Sequence, residues 1–188
     1  MGKVNRQTRK LIFLIVLTLL WMCLIFWFSA QNADVSSDLS GGLLHKLLSV
    51  IVPHWKTRTE AEQLAIMEGL HTIFRKCGHF SEYTVLGILL TATARQRQNC
   101  ISDSRQAITK EVIILPALCA LLYACSDEFH QRFVPGRSCE LRDVCIDFAG
   151  ACCGMLICML CGRLLRRIRQ HKQASSAEND GINPITQT

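Results

Sequence analysis

Four cations, Lys3, Arg6, Arg9 and Lys10, precede an uninterrupted apolar stretch over 11–28. At ~1.5 Å per residue, a helix of that length crosses the apolar layer of a bilayer. Such a run leaves a chain few ways to fold. Lipid offers no hydrogen-bond partner to a bare backbone, so the segment must be helical and later apolar segments must pack beside it. A secretory signal peptide opens with similar charges. The run is longer than the usual apolar region of a signal, however, and Ser29-Ala30-Gln31 is a poor cleavage site, so the segment reads as an anchor.

Three further apolar blocks follow, predicting spans over about 79–94, 112–129 and 144–162. Two of them are short. The apolar part of the third span covers only 112–125, and that of the second only 83–94, against the ~20 residues that a crossing needs. Ser126, Asp127 and Glu128 must therefore complete the third span, and His79, Phe80, Ser81 and Glu82 the second, at membrane depth. Between the first two spans the chain is polar but carries two helical periodicities. One comprises Leu39, Leu43, Leu44, Leu47, Leu48 and Ile51, and the other Leu64, Met67, Leu70, Ile73 and Phe74. Pro53 separates them, and Thr59 with Glu62 has the spacing of a capping box for the second. This loop either lies along the membrane surface or forms a packed extracytoplasmic cap. The expected architecture is all-α: a polytopic membrane protein with about four transmembrane helices, plus one or two amphipathic helices in the first external loop.

Lys and Arg placement orients the chain. With the N-terminus inside, thirteen of the 21 cations fall on the inner side: Lys3, Arg6, Arg9, Lys10, Arg95, Arg97, Arg105, Lys110, Arg163, Arg166, Arg167, Arg169 and Lys172. Residues 1–10 and 163–188 then form cytoplasmic ends around a membrane domain at 11–162. The second of these ends starts basic and is expected to become disordered after about Lys172. The net charge of +6 is not a nucleic-acid signature, because the cations flank apolar blocks rather than alternating with aromatics on a polar face. Most of the eleven cysteines lie in or near apolar runs and read as small packing residues, Cys158-Met-Leu-Cys161 included. Cys77 and Cys139 both fall outside and could pair.

Under this topology, polar residues gather at the outer ends of the spans: Ser29 and Gln31; Lys76, His79 and Glu82; Asp127, His130 and Gln131; Asp143 and Asp147. The inner halves carry no comparable set. Spacings of three or four residues put His79 with Glu82 and Tyr83, Asp127 with His130 and Gln131, and Asp143 with Asp147 on single helix faces. The Asp147 face continues through Gly150 and Gly154, and Ala120 and Ala124 lead up to Asp127, so both polar faces run into close-packing seams. A shared polar pocket accounts for the pattern.

Carboxylates and imidazoles in such a pocket suit proton transfer, metal ligation or recognition of a charged headgroup. His79, Glu82, Asp127 and His130 are donor types that zinc accepts, without the H-E-x-x-H spacing of a known zinc motif. Equally, Asp127, Glu128, Asp143 and Asp147 could simply neutralise Arg132, Arg137, Arg142 and Lys76. G-x-S-x-G, the P-loop and G-x-G-x-x-G are all absent from the sequence, which argues against nucleotide-driven transport.

Several blocks carry a family resemblance: Phe28-Ser29-Ala30-Gln31, then Arg75-Lys76-Cys77-Gly78-His79-Phe80-Ser81-Glu82-Tyr83, then Ser126-Asp127-Glu128-Phe129-His130-Gln131-Arg132-Phe133-Val134-Pro135-Gly136-Arg137, then Arg142-Asp143 and Asp147. From about Leu11 to Gly162 the chain resembles the VanZ-like family. That resemblance implies a small multi-spanning protein of the bacterial cytoplasmic membrane. The family's name-giving member is an accessory determinant of low-level resistance to the glycopeptide teicoplanin. The family's polar positions match here at Lys76, His79, Glu82, Tyr83, Ser126, Asp127, Glu128, Gln131, Pro135, Gly136, Arg137, Asp143 and Asp147. The stretch after Asp147 is richer in cysteine than the family pattern, which implies altered packing.

The expectation from these readings is a cell-envelope protein that binds, and could modify, a lipid-linked or headgroup-bearing ligand such as a lipid-linked cell-wall precursor. His79, Glu82, Asp127 and His130 are the candidate catalytic groups. Lys76, Tyr83, Ser126, Glu128, Gln131, Arg137, Asp143 and Asp147 are the candidate ligand contacts. Membrane lipids are expected partners and nucleic acid is not. A scaffold whose buried charges are structural ion pairs is the rival expectation.

Overall fold

The computed structural model describes residues 2–101, 110–137 and 139–181. Arg105 and the last seven residues lie outside the described residues, as do the side chains of Lys3 and Leu39. Every regular element described is helical: α1 (Gly2–Ser29), α2 (Ala33–Ile51), a 3₁₀ turn (Trp55–Thr57), α3 (Glu60–Ile101), α4 (Lys110–Gln131) and α5 (Leu141–Gly181). Three of them contain stretches long and apolar enough to cross a membrane, at Arg6–Ser29, Lys110–Gln131 and Leu141–Gln173. The expected span at 79–94 is the later part of α3. Its composition is diluted by His79, Glu82, Tyr83 and three threonines, so it does not qualify on apolarity alone.

α2 stops at Val52 because the following Pro53 crowds a helical conformation at the residue before it, and Val52 is extended. The capping box forms as expected. The Glu62 carboxylate accepts from the Thr59 backbone N–H and hydroxyl at 3.0 Å each, and the Thr59 hydroxyl accepts from the Glu62 N–H at 3.4 Å. The two periodicities become a cap. Leu44 and Leu48 of α2 bury with Trp55 against Ile66, Met67 and Phe74 of α3, while Leu43, Leu47, Val50 and Ile51 stay exposed. α3 does not break after the cap, so the second amphipathic segment and the expected span form one helix of 42 residues.

That helix is the centre of the bundle, packed against α1, α4 and α5, and none of its residues between 82 and 96 is exposed. Its tightest partner is α5. A methyl group added at Gly150 would run into the Phe80 carbonyl, at Gly154 into the Thr84 carbonyl, and at Gly87 into the backbone of Ala151. Glycine at these positions is what lets the two backbones touch, as the G-x-x-x-G spacing predicts. α1 is tied to its neighbours through backbone carbonyls. Trp21 Nε1 donates to the Glu82 carbonyl at 2.9 Å, and the Tyr123 hydroxyl to the Met22 carbonyl at 2.6 Å.

Two expectations fare differently. The tail predicted to be disordered after about Lys172 is instead helical to Gly181, continuing α5. All eleven cysteines are free thiols, Cys77 and Cys139 among them, so the bridge that the sequence allowed is not formed.

Candidate functional site

The C-terminal end of α1, the middle of α3, the C-terminal end of α4 and the N-terminal end of α5 meet at one end of the bundle. Pro135 and Gly136 turn the chain between α4 and α5. Gly136 takes a positive φ of 76°, which a side chain would oppose, and Arg137 N–H bonds back to the Val134 carbonyl at 3.2 Å. This turn brings Arg137 over the cluster.

Some of the predicted residues are held in pairs. Lys76 of α3 bonds Asp143 of α5 at 2.5 Å. The Glu128 carboxylate accepts from the backbone N–H of Glu140 at 2.6 Å, just before α5 begins, so it anchors the start of that helix. Gln131 links two charges, donating to Asp127 Oδ2 at 3.4 Å while its carbonyl oxygen accepts from Arg137 at 3.0 Å.

Other polar atoms are buried and have no hydrogen-bond partner among the described residues. They are the Ser29 hydroxyl, His79 Nδ1, the Tyr83 hydroxyl, Asp127 Oδ1, Arg137 Nε and Asp147 Oδ1. Asp127 and Asp147 are each only 2% exposed, and neither has a cation within ion-pair distance among the described residues. Tyr83 stands within electrostatic reach of both carboxylates. The Ser29 hydroxyl lies beside Asp127 but misses hydrogen-bond geometry with it, although its influence on that carboxyl is felt. Leaving a buried polar group unpaired costs ~1–3 kcal/mol, so six in one region mark a place where the bundle does not satisfy itself.

The remaining residues are peripheral. Glu82 Oε2 is 4.0 Å from His79 Nδ1, a proximity of charges but too long for a hydrogen bond. The His130 ring packs on Phe26 with centroids 4.4 Å apart, at the edge of the cluster. Ser126 is exposed on the outer face of α4 and does not join the others. Among the described residues, no three His, Cys, Asp or Glu side chains are placed to hold a metal ion. Burial, and then the like charge of Arg75, lower the Arg137 guanidinium below its ordinary value, yet from such a height it stays charged.

Sequence reasoning passed over Arg75, although it belongs to the block around His79. Its only signal was position. It stands one turn before His79, on a helix whose continuity through the cap was not legible.

Helices apolar enough for lipid, bundled around a charged cluster at one end, define a multi-helix membrane protein. The VanZ/LLP1 family model matches residues 13–162, which contain every residue of the cluster, and the chain belongs to that family. No curated protein and no solved structure matches the chain.

Proposed function

We propose that the chain crosses the bacterial cytoplasmic membrane four times, with both ends in the cytoplasm and the later part of α3 as its second crossing. The polar cluster then sits at the outer leaflet. There it binds a lipid-linked or headgroup-bearing ligand of the cell envelope, and through that ligand contributes to glycopeptide tolerance of the teicoplanin type. One observation carries this reading: the buried, unpartnered polar atoms on α1, α3, α4, α5 and the α4–α5 turn, which a polar ligand would satisfy. The partial or full burial of every α3 residue from 82 to 96 supports its crossing despite its polar residues, because such residues are tolerated where they face protein rather than lipid.

In this reading Arg137 meets anionic groups on the ligand, and Lys76, already held by Asp143, positions the α3–α5 junction. His79 accepts or donates a proton, with Glu82 closing its 4.0 Å gap when ligand binds. Asp127 and Asp147 hold the ligand's hydrogen-bond donors. The test compares Asp127→Asn and His79→Ala with wild type at equal membrane expression, reading glycopeptide susceptibility and envelope-stress induction. Loss of phenotype with unchanged folding is the expected result. An unchanged phenotype in both variants would sink it.

Pairs that already consume Lys76, Asp143, Glu128 and Gln131 favour a second reading, in which the chain is a non-enzymatic scaffold and its charges fasten helices together. That reading expects activity to survive cluster substitutions and to fail when the capping segment at 36–74 is altered.

A further inference from the structure

Once the paired groups are set aside, unpaired members of both signs remain, the carboxyls of Asp127 and Asp147 on one hand and a small group of nitrogen donors on the other. Lys76 belongs to Asp143 and Arg142 to Glu140. Arg75, half-buried on α3, has no carboxylate within ion-pair distance among the described residues. Arg137 donates one terminal nitrogen to Gln131 and retains a buried Nε without a partner. His79 Nδ1 is in the same condition. The charges of Arg75 and Arg137 oppose each other, and both bear on His79.

Two like-charged guanidiniums within electrostatic reach of each other, neither in an ion pair among the described residues, and a buried imidazole nitrogen without a partner make a set of donors that an anion would satisfy. The donor set narrows which anion. Guanidinium forks pair two N–H groups with two oxygens of a carboxylate or phosphate. A carboxylate offers two oxygens and one charge, too few for two forks and an imidazole, whereas a phosphoryl group offers three oxygens and up to two charges. Glu82, Asp127 and Glu128 also bear on Arg137 and would repel an anion placed among them. The group must therefore sit on the Arg75 side.

We infer that Arg75, His79 and Arg137 form a phosphoryl-binding site at the mouth of the polar cluster, taking a phosphate or diphosphate group. This rests on the reading of the cluster as a ligand site, and narrows it. Whether the phosphoryl group arrives free or on a lipid is decided by two probes on the full chain in phosphatidylcholine nanodiscs at fixed ionic strength. One is inorganic pyrophosphate added to the buffer, and the other is phosphatidic acid built into the disc. Each is followed by the thermal unfolding temperature.

A rise in that temperature with pyrophosphate supports a free phosphoryl ligand, and a rise with phosphatidic acid alone supports a lipid-borne one. In either case Arg75→Gln and Arg137→Gln weaken the response about tenfold, the loss expected for a charged hydrogen bond. Arg142→Gln leaves the response intact. Should Arg75→Gln fail to fold, Arg75→Lys serves instead, keeping the charge without the fork and weakening the response by less. No response to either probe, or an equal loss in Arg142→Gln, overturns the proposal. If binding fails while Asp127→Asn still abolishes the envelope phenotype, the phosphoryl assignment falls and the ligand site stands. If that phenotype is also unaffected, both fall.

Discussion

α1 and the later part of α3 pack against each other and both touch α4, yet they are built in opposite ways. α1 is the most apolar helix and the most exposed: Phe13, Leu19, Leu20 and Trp27 all face outward. α3 is among the least apolar, and none of its residues from 82 to 96 is more than partly exposed. In water this arrangement would be inside out. In lipid it is the stable one, since apolar side chains lose nothing by facing acyl chains while polar ones must find protein partners. Hydrophobicity in this chain therefore reports which helix touches lipid, and packing at the centre depends on small residues and specific hydrogen bonds.

Substitutions can break that contrast, starting with the largest effect. Gly87→Leu or Gly154→Leu drives a side chain into the α3–α5 backbone contact, and is expected to cost about 2–3 kcal/mol or abolish folding. Thermal unfolding in detergent measures it, and a wild-type midpoint would mean that the two helices do not touch. Lys76→Ala leaves Asp143 without its cation at a partly exposed site, for an expected loss of about 1 kcal/mol. A double-mutant cycle with Asp143→Ala isolates the pair, and a coupling of zero would remove it as a fastener. On α1, Leu20→Ala should change stability by less than about 0.5 kcal/mol, because its side chain is 62% exposed. A loss as large as at Gly87 would show that α1 is covered by something else.

The smallest effect lies outside the membrane, at the start of α3. The Thr59 backbone N–H, and then its hydroxyl, hold the exposed Glu62 carboxyl below its ordinary value of 4.5. A depressed folded-state value means that the stabilisation is complete above the unfolded value and is lost as pH falls through the folded one. The wild-type unfolding midpoint should therefore decline slightly below about pH 4.5, and Glu62→Gln should flatten that part of the curve. Equal slopes in the two proteins would show that the capping box contributes nothing.

By itself the sequence determined the helical membrane class, because a long apolar run with no charged interruption satisfies its backbone in lipid by forming a helix. It also determined the turn at Pro135-Gly136, the break at Pro53, the capping box at Thr59 and Glu62, and the glycine and alanine seams. Each of these follows from local geometry or from a fixed spacing along one helix. Tertiary structure decided the rest. That α3 continues unbroken from the cap into the bundle follows from what surrounds it, since its own composition looks too polar for the centre. Whether a charged residue is fastened or unsatisfied depends on which helix lies opposite. Lys76 finds Asp143 and Glu128 finds a backbone N–H, while Asp127, Asp147 and Arg137 keep buried atoms without partners. Spacing along a chain places side chains on a face, but only the meeting of faces from distant segments says which of them are left to bind something else.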